Sequence, residues 1–109
     1  MNYNKLTKCT IFILLAISLV TFFWKGALFL SILLIGLAFI KHKILPIKKE
    51  FLWFIISGII GTIGESLIMT SGPWIYTSTQ IINFPLWLPF LWGLAGVIGI
   101  SFYEAITDK

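Results

Sequence analysis

The chain has 109 residues, of which 59% are hydrophobic and 11% are charged, and its formal net charge is +4. Soluble domains carry about 25% charged residues, so this composition excludes an ordinary soluble domain and is typical of an integral membrane protein. Four hydrophobic segments, each near the length that a bilayer core requires, predict an all-α, four-helix transmembrane bundle. The chain is short enough to form one membrane domain, residues 1–109.

The first segment, residues 6–24, predicts a transmembrane helix. Lys5 and Lys8 ahead of an apolar run also resemble the start of a secretory signal peptide. No A-x-A cleavage site follows the run, which continues through Lys25 into the next segment. A retained helix is therefore the preferred interpretation. Cys9, the one cysteine, cannot form an internal disulfide and is interpreted as a bystander, with acylation near the membrane surface as the alternative.

The second segment, residues 26–42, is apolar only as far as Ile40, and snorkelling of Lys25 and Lys41 extends it to the headgroups. The basic run KHKILPIKKE follows. We expect anionic lipid headgroups near its four lysines, Lys41, Lys43, Lys48 and Lys49. Specific docking of a lipid or protein there is the alternative, but a loop that only sets orientation would have the same sequence.

The lysines predict the orientation. If all four segments cross the membrane, seven of the eight lysines lie on one side and only Lys25 lies on the other. The positive-inside rule then places both termini in the cytoplasm. The predicted location is the bacterial cytoplasmic (inner) membrane, with a multi-pass topology. The positive charge is explained without a nucleic-acid partner, and the sequence contains no nucleic-acid-binding motif.

The third segment, residues 51–71, combines small residues with one acid. At about 100° per residue, Gly58, Gly61, Thr62 and Glu65 share one face of a helix. Small residues allow helix backbones to approach closely in lipid, where packing drives association. This face is therefore predicted to meet another helix, with Gly58 and Gly61 at the contact.

The loop that follows has no charged residue, and Trp74 and Tyr76 come just after a Gly-Pro break. These two side chains are interpreted as aromatic residues at the headgroup level, and contact with a ligand at the outer face is the alternative.

The fourth segment, residues 84–103, is predicted to begin after an N-cap at Asn83. Pro89, Trp92, Gly96 and Gly99 recur on one stripe of this helix. We predict that this stripe packs against the glycine face of the third helix, with Gly96 and Gly99 at the contact.

Glu65 is predicted to lie roughly 6 Å beyond the bilayer centre, toward the outer face. The level matches Pro89, whose missing amide hydrogen would leave a backbone carbonyl free. Trp92 is predicted to lie near mid-bilayer, where its indole N–H needs a partner. Glu65, Thr62, Pro89 and Trp92 therefore form the candidate intramembrane polar site. A structural interpretation has a neutral Glu65 donating a hydrogen bond to that carbonyl or to Thr62. A functional interpretation has it binding a proton or cation, because acids inside membranes are rare.

The run from Glu65 through GPWIY to PLWLPFLWG, within residues 51–103, resembles small uncharacterised bacterial polytopic inner-membrane proteins. In these, an acid precedes a W-x-Y outer turn and a P-L-W…W helix. The resemblance implies no substrate. A fainter similarity to membrane enzymes of carotenoid metabolism implies chemistry on a lipid or isoprenoid.

Three functions remain open. The preferred one is a non-enzymatic accessory or interaction protein, in contact with lipid and with a membrane-protein partner or a second copy. The first alternative is an oligomeric proton- or cation-coupled carrier that uses Glu65. Small four-helix multidrug transporters match it in size, but their key glutamate is in the first helix, which here has no acid. The second alternative is a lipid- or isoprenoid-modifying enzyme. No catalytic residue, cofactor or metal site is assigned from the sequence.

Overall fold

The computed structural model describes residues 1–107 and contains four helices in this range: α1 (Tyr3–Phe23), α2 (Ala27–Ile44), α3 (Glu50–Met69) and α4 (Leu88–Thr107). Each helix is long and apolar enough to cross a membrane. The predicted all-α, four-helix fold is therefore confirmed. Lys109, one of the seven lysines from which the orientation was predicted, lies outside the described residues.

The bounds of the first three helices agree with the sequence prediction within three residues, whereas the fourth helix is shifted by four residues at both ends, from the predicted 84–103 to 88–107. α4 begins at Leu88 instead of residue 84 because the chain first makes a tight turn, in which Ile82 has a positive φ of 42° and Ile81 and Phe84 exchange backbone hydrogen bonds. The prediction that Asn83 caps this helix was wrong. Pro89 instead lies in the first turn of α4, where its missing amide hydrogen removes no helical bond.

α4 is the central helix of the bundle. It packs against α1, α2 and α3, whereas α3 makes most of its contacts with α4 alone. The core is formed by buried apolar side chains from three helices, with Phe12 from α1, Leu34 from α2, and Leu94 and Val97 from α4. α3 is the least covered of the four helices, so most of its apolar surface faces outward.

Glycines bring α3 and α4 into close contact, as predicted from the small-residue stripes. A Cβ added at Gly58 would lie 2.7 Å from the carbonyl oxygen of Pro89, and one added at Gly93 would lie 2.8 Å from that of Phe54. Both distances are too short for a side chain, so the two backbones meet directly at these residues. In addition, Gly61 lies against the ring of Trp92 and Gly96 lies against Ser57.

Gly99 does not take part in this contact. A Cβ at Gly99 would have no neighbour within 4 Å, and the residue lines a groove between α1 and α4. The reason is helical geometry, because six residues place Gly99 about 240° around α4 from Gly93. Gly93 takes the place in the contact that the sequence analysis gave to Gly99.

The bundle has two distinct ends. The lysine-rich end contains the starts of α1 and α3 and the ends of α2 and α4; the loop end contains residues 24–26 and 70–87. At the lysine-rich end, the amide of Asn2 donates to the carbonyl of Ala105 (2.8 Å), and Lys5 Nζ lies 3.2 Å from Glu104 Oε1. The start of α1 is therefore adjacent to the end of α4.

Lys41 is buried at the lysine-rich end. Its ammonium group was predicted to snorkel to the headgroups, and this prediction was wrong. Its side chain is 0% exposed, and Nζ lies 3.2 Å from Oε2 of Glu50, which is itself 7% exposed. The other carboxylate oxygen of Glu50 accepts from the amide of Ile47 (3.0 Å) and lies 3.0 Å from Nδ1 of His42. The pair joins the end of α2 to the start of α3, where each charge also complements the helix dipole.

Candidate functional site

Glu65 is held by two hydrogen-bond donors from its own chain. Tyr76 donates its hydroxyl to Oε1 of Glu65 (2.9 Å), and Trp92 donates its indole N–H to Oε2 (3.1 Å). Both oxygens of Glu65 therefore act as acceptors. Glu65 therefore joins three parts of the fold at one point: α3, the loop of residues 70–87, and α4.

The geometry of an antiparallel helix pair brings Glu65 and Trp92 together. Helical side chains lean toward the N-terminus of their own helix. Glu65 on α3 consequently leans toward the lysine-rich end, and Trp92 on α4 leans toward the loop end, so the two side chains approach each other. Gly61, one turn before Glu65, has no side chain and leaves room for the indole ring.

The loop of residues 70–87 is folded back onto the end of α3. Ser66 donates its hydroxyl to Oδ1 of Asn83 (2.6 Å), and Nδ2 of Asn83 donates to the carbonyl of Ser66 (3.1 Å). The ring of Trp87, which is 5% exposed, meets the ring of Tyr76 edge-on at a centroid distance of 5.8 Å. These contacts place the Tyr76 hydroxyl at Glu65.

The structure joins some of the predicted site residues and separates others. Trp92 binds Glu65, and so does Tyr76, which the sequence analysis had assigned to the headgroup level. Thr62 is buried but does not bond to Glu65, and its hydroxyl has no hydrogen-bond partner within residues 1–107. Pro89 lies against Gly58, and Trp74 remains 41% exposed.

The prediction that Glu65 donates to a freed backbone carbonyl was wrong. The carbonyl of Pro85 accepts from the amide of Leu88 (3.1 Å), so it is not free, and Glu65 accepts at both oxygens. Sequence reasoning also missed the bond between Ser66 and Asn83. The sequence did contain a signal for this bond, because Ser66 is a polar residue in the last turns of α3 and Asn83 is a polar residue shortly before α4.

The site provides a fixed acceptor with two fixed donors. Burial, followed by the hydrogen bond to Glu65, raises the pKa of the Tyr76 hydroxyl above its ordinary value, so the hydroxyl remains protonated as a donor. Within residues 1–107 there is no group of three or more His, Cys, Asp or Glu side chains that could hold a metal ion. The chemistry of these contacts is hydrogen bonding between parts of the fold.

Replacing Tyr76 with phenylalanine is expected to loosen the loop end. The change removes a hydrogen bond to a carboxyl group in a partly exposed position, at a cost of about 1–2 kcal/mol. Backbone amides in residues 72–87 should exchange with deuterium several-fold faster, while those of α1 should not change. Tyr103→Phe is the matched control because Tyr103 is 58% exposed. Equal effects of the two changes would contradict a fastening role for Tyr76.

Alkaline pH is expected to weaken the hydrogen bond between Tyr76 and Glu65. Because the pKa of Tyr76 is higher in the folded than in the unfolded chain, its contribution to stability is complete below the ordinary tyrosine pKa of 10 and decreases as the pH rises above it. In a spectroscopic titration, we expect a late tyrosine ionisation step well above pH 10, and Tyr76→Phe to remove this step. A late step that persists in the variant would contradict the assignment.

Comparison with known proteins gives no match: no protein-family model, no curated protein and no solved structure is similar to this chain. The resemblance of the pattern around Glu65, Trp74 and Tyr76 to small bacterial inner-membrane proteins thus stays a prediction.

Proposed function

We propose that this chain is a non-enzymatic membrane protein that works by packing against a transmembrane helix of a partner membrane protein. The observation that supports this most is the use of both Glu65 oxygens by Tyr76 and Trp92. An acid whose acceptors are occupied within its own fold suits a structural role. A carrier needs an acid that exchanges its ligand, and an acid catalyst needs one that meets a substrate.

The outward face of α3 near the loop end is the proposed contact surface. Ile60, Ile63 and Leu67 are all more than half exposed there. Gly64 lies among them, and a Cβ at this position would have no neighbour within 4 Å. An open glycine between large apolar residues allows a partner backbone to come close. The partner in this proposal is therefore a second transmembrane helix with a small-residue face of its own.

Photo-crosslinking in native membranes tests the contact surface. A photoreactive residue at Ile60 is expected to form a protein adduct of defined mass, and one at Ile17, which is 57% exposed on α1, is expected to label lipid only. Gly64→Phe should abolish the adduct by filling the open position. Gly36→Phe on α2 is the control, because Gly36 is equally open. Adducts at both positions, or an adduct insensitive to Gly64→Phe, would reject this surface.

Flux measurements separate the interaction protein from a carrier. Vesicles reconstituted with the wild-type chain should show no proton-coupled uptake of cationic drugs above that of empty vesicles, and Glu65→Gln should not change this. Uptake that disappears in Glu65→Gln would replace our proposal with a carrier. Conversion of a labelled polyprenyl lipid by the wild-type chain would favour the enzyme instead.

For localisation, we propose a bacterial inner membrane with the lysine-rich end in the cytoplasm. The support is the positive-inside rule, since six of the lysines in residues 1–107 are at this end and only Lys25 is at the loop end. Lys43, Lys48 and Lys49 would then meet anionic headgroups. Reporter fusions at Pro46 and Ser78 test the orientation, and an external Pro46 would reverse it.

A further inference from the structure

A groove runs between α2 and α3 at the lysine-rich end. It forms because α3 packs mainly against α4 and leaves its side toward α2 uncovered. The groove has a volume of about 650 Å³, within the range of ligand-binding clefts, and its walls are apolar. Its sides are formed by Ile35, Ala38, Phe54 and Ile55, and Phe90 of α4 also lines it.

The mouth of this groove is polar and carries excess positive charge. His42, Lys49 and Glu50 line it. The negative charge of Glu50 is already balanced by Lys41, which is 0% exposed and lies 3.2 Å away. Nδ1 of His42 lies 3.0 Å from the same carboxylate, so exposed Lys49 remains to meet a ligand, with exposed Lys43 and Lys48 close in sequence.

The first turn of α3 adds hydrogen-bond donors at the same place. Lys49 occupies the N-cap position with φ 53°, and its side chain does not cap the helix. Glu50 uses its side chain on the amide of Ile47, before the helix begins. The first amides of α3 are consequently left for an acceptor outside the helix, at the positive end of the helix dipole.

A second groove provides a comparison within the same fold. It lies between α1 and α4, has a volume of about 460 Å³, and is lined by residues such as Ala16, Ala95 and Gly99, with no charged residue. Apolar surface alone is thus available at two places. Of these two grooves, the α2–α3 groove combines apolar walls with a lysine and a helix start.

We infer that the α2–α3 groove binds one anionic phospholipid, with an acyl chain between Ala38 and Ile55 and the phosphate at Lys49 and the start of α3. Apolar walls match the acyl chain, and the cationic mouth matches the headgroup. This site is independent of the Glu65 contacts and of the proposed partner surface on α3, which lies toward the loop end. Loss of either function would leave the other intact.

Native mass spectrometry of the full chain in detergent micelles tests the inference. Phosphatidylglycerol is expected to bind about fivefold more tightly than phosphatidylcholine with the same acyl chains, because the charge of Lys49 faces the headgroup. Lys49→Gln should weaken the binding of phosphatidylglycerol about fivefold, and Lys8→Gln, which removes a lysine from α1 at the same end, should not. Equal binding of the two lipids would overturn the inference.

The acyl-chain part has its own pair of variants. Ala38→Phe fills the groove and should reduce binding of phosphatidylglycerol at least tenfold, while Ala95→Phe makes the same change in the other groove and should have no effect. Unfolding temperatures check that both variants fold; if Ala38→Phe does not, the Lys49→Gln result decides. Equal losses in the two alanine variants, or displacement of the lipid by glycerol phosphate without an acyl chain, would overturn the inference.

Discussion

Replacing Lys41 with methionine is expected to destabilise the bundle by about 3–5 kcal/mol, the range found when one partner of a buried ion pair is removed. The change leaves the carboxylate of Glu50, which is 7% exposed, without its cation. The expected readout is a lower free energy of unfolding in a detergent-denaturant titration that follows helix content. Lys43→Met is the control, because Lys43 is exposed two residues further along the same helix and should change this free energy by less than about 0.5 kcal/mol.

A double-mutant cycle shows whether the loss comes from the pair itself. Glu50→Gln removes the charge but retains an oxygen for the amide of Ile47. Combining it with Lys41→Met removes both charges together, so the double variant should be more stable than Lys41→Met alone. Additive losses would contradict coupling between the two side chains.

The second large effect is expected at Gly58, where α3 touches the backbone of α4. Gly58→Ala places a Cβ 2.7 Å from the carbonyl oxygen of Pro89, and because a backbone atom cannot rotate away, the two helices must separate. Overpacking of this kind costs about 1–3 kcal/mol. The same unfolding titration measures it, and a faster exchange of amides along α3 should accompany the loss.

Gly64→Ala is the matched control for Gly58→Ala. Both residues are in α3 and both changes have the same effect on helix propensity, but a Cβ at Gly64 meets nothing within 4 Å. The difference between the two variants therefore isolates the helix contact. If Gly64→Ala is as destabilising as Gly58→Ala, the close approach at Pro89 is not what limits this position.

The sequence was sufficient for the four helices and for the glycine contact, because both depend on local patterns. Hydrophobic segments separated by polar breaks determine where helices form. Because each residue of a helix is rotated by about 100° from the one before, Gly58 and Gly61 share a face, and in the structure this face packs against α4. The late start of α4 was not predicted, because it depends on the fold of the preceding loop.

The partners of Glu65 depend on contacts between distant parts of the chain. Trp92 was included in the site because a buried indole needs an acceptor. Tyr76 was assigned elsewhere, because nothing in the loop sequence indicates that residues 70–87 fold back over α3. The position of Lys41 was not predicted for the same reason. A lysine at a helix end is normally predicted to lie at the surface, and only the fold shows that Glu50 is buried beside it.

The central position of α4 has a consequence for how the bundle assembles. α1 and α2 contact each other and can pair as soon as both are in the membrane, whereas α3 makes most of its contacts with the helix that follows it. During synthesis, α3 thus enters the bilayer before the surface that its glycines fit has been made. The fold is completed from its last helix, and until α4 inserts, the glycine face of α3 is open to lipid, to a chaperone or to the wrong neighbour.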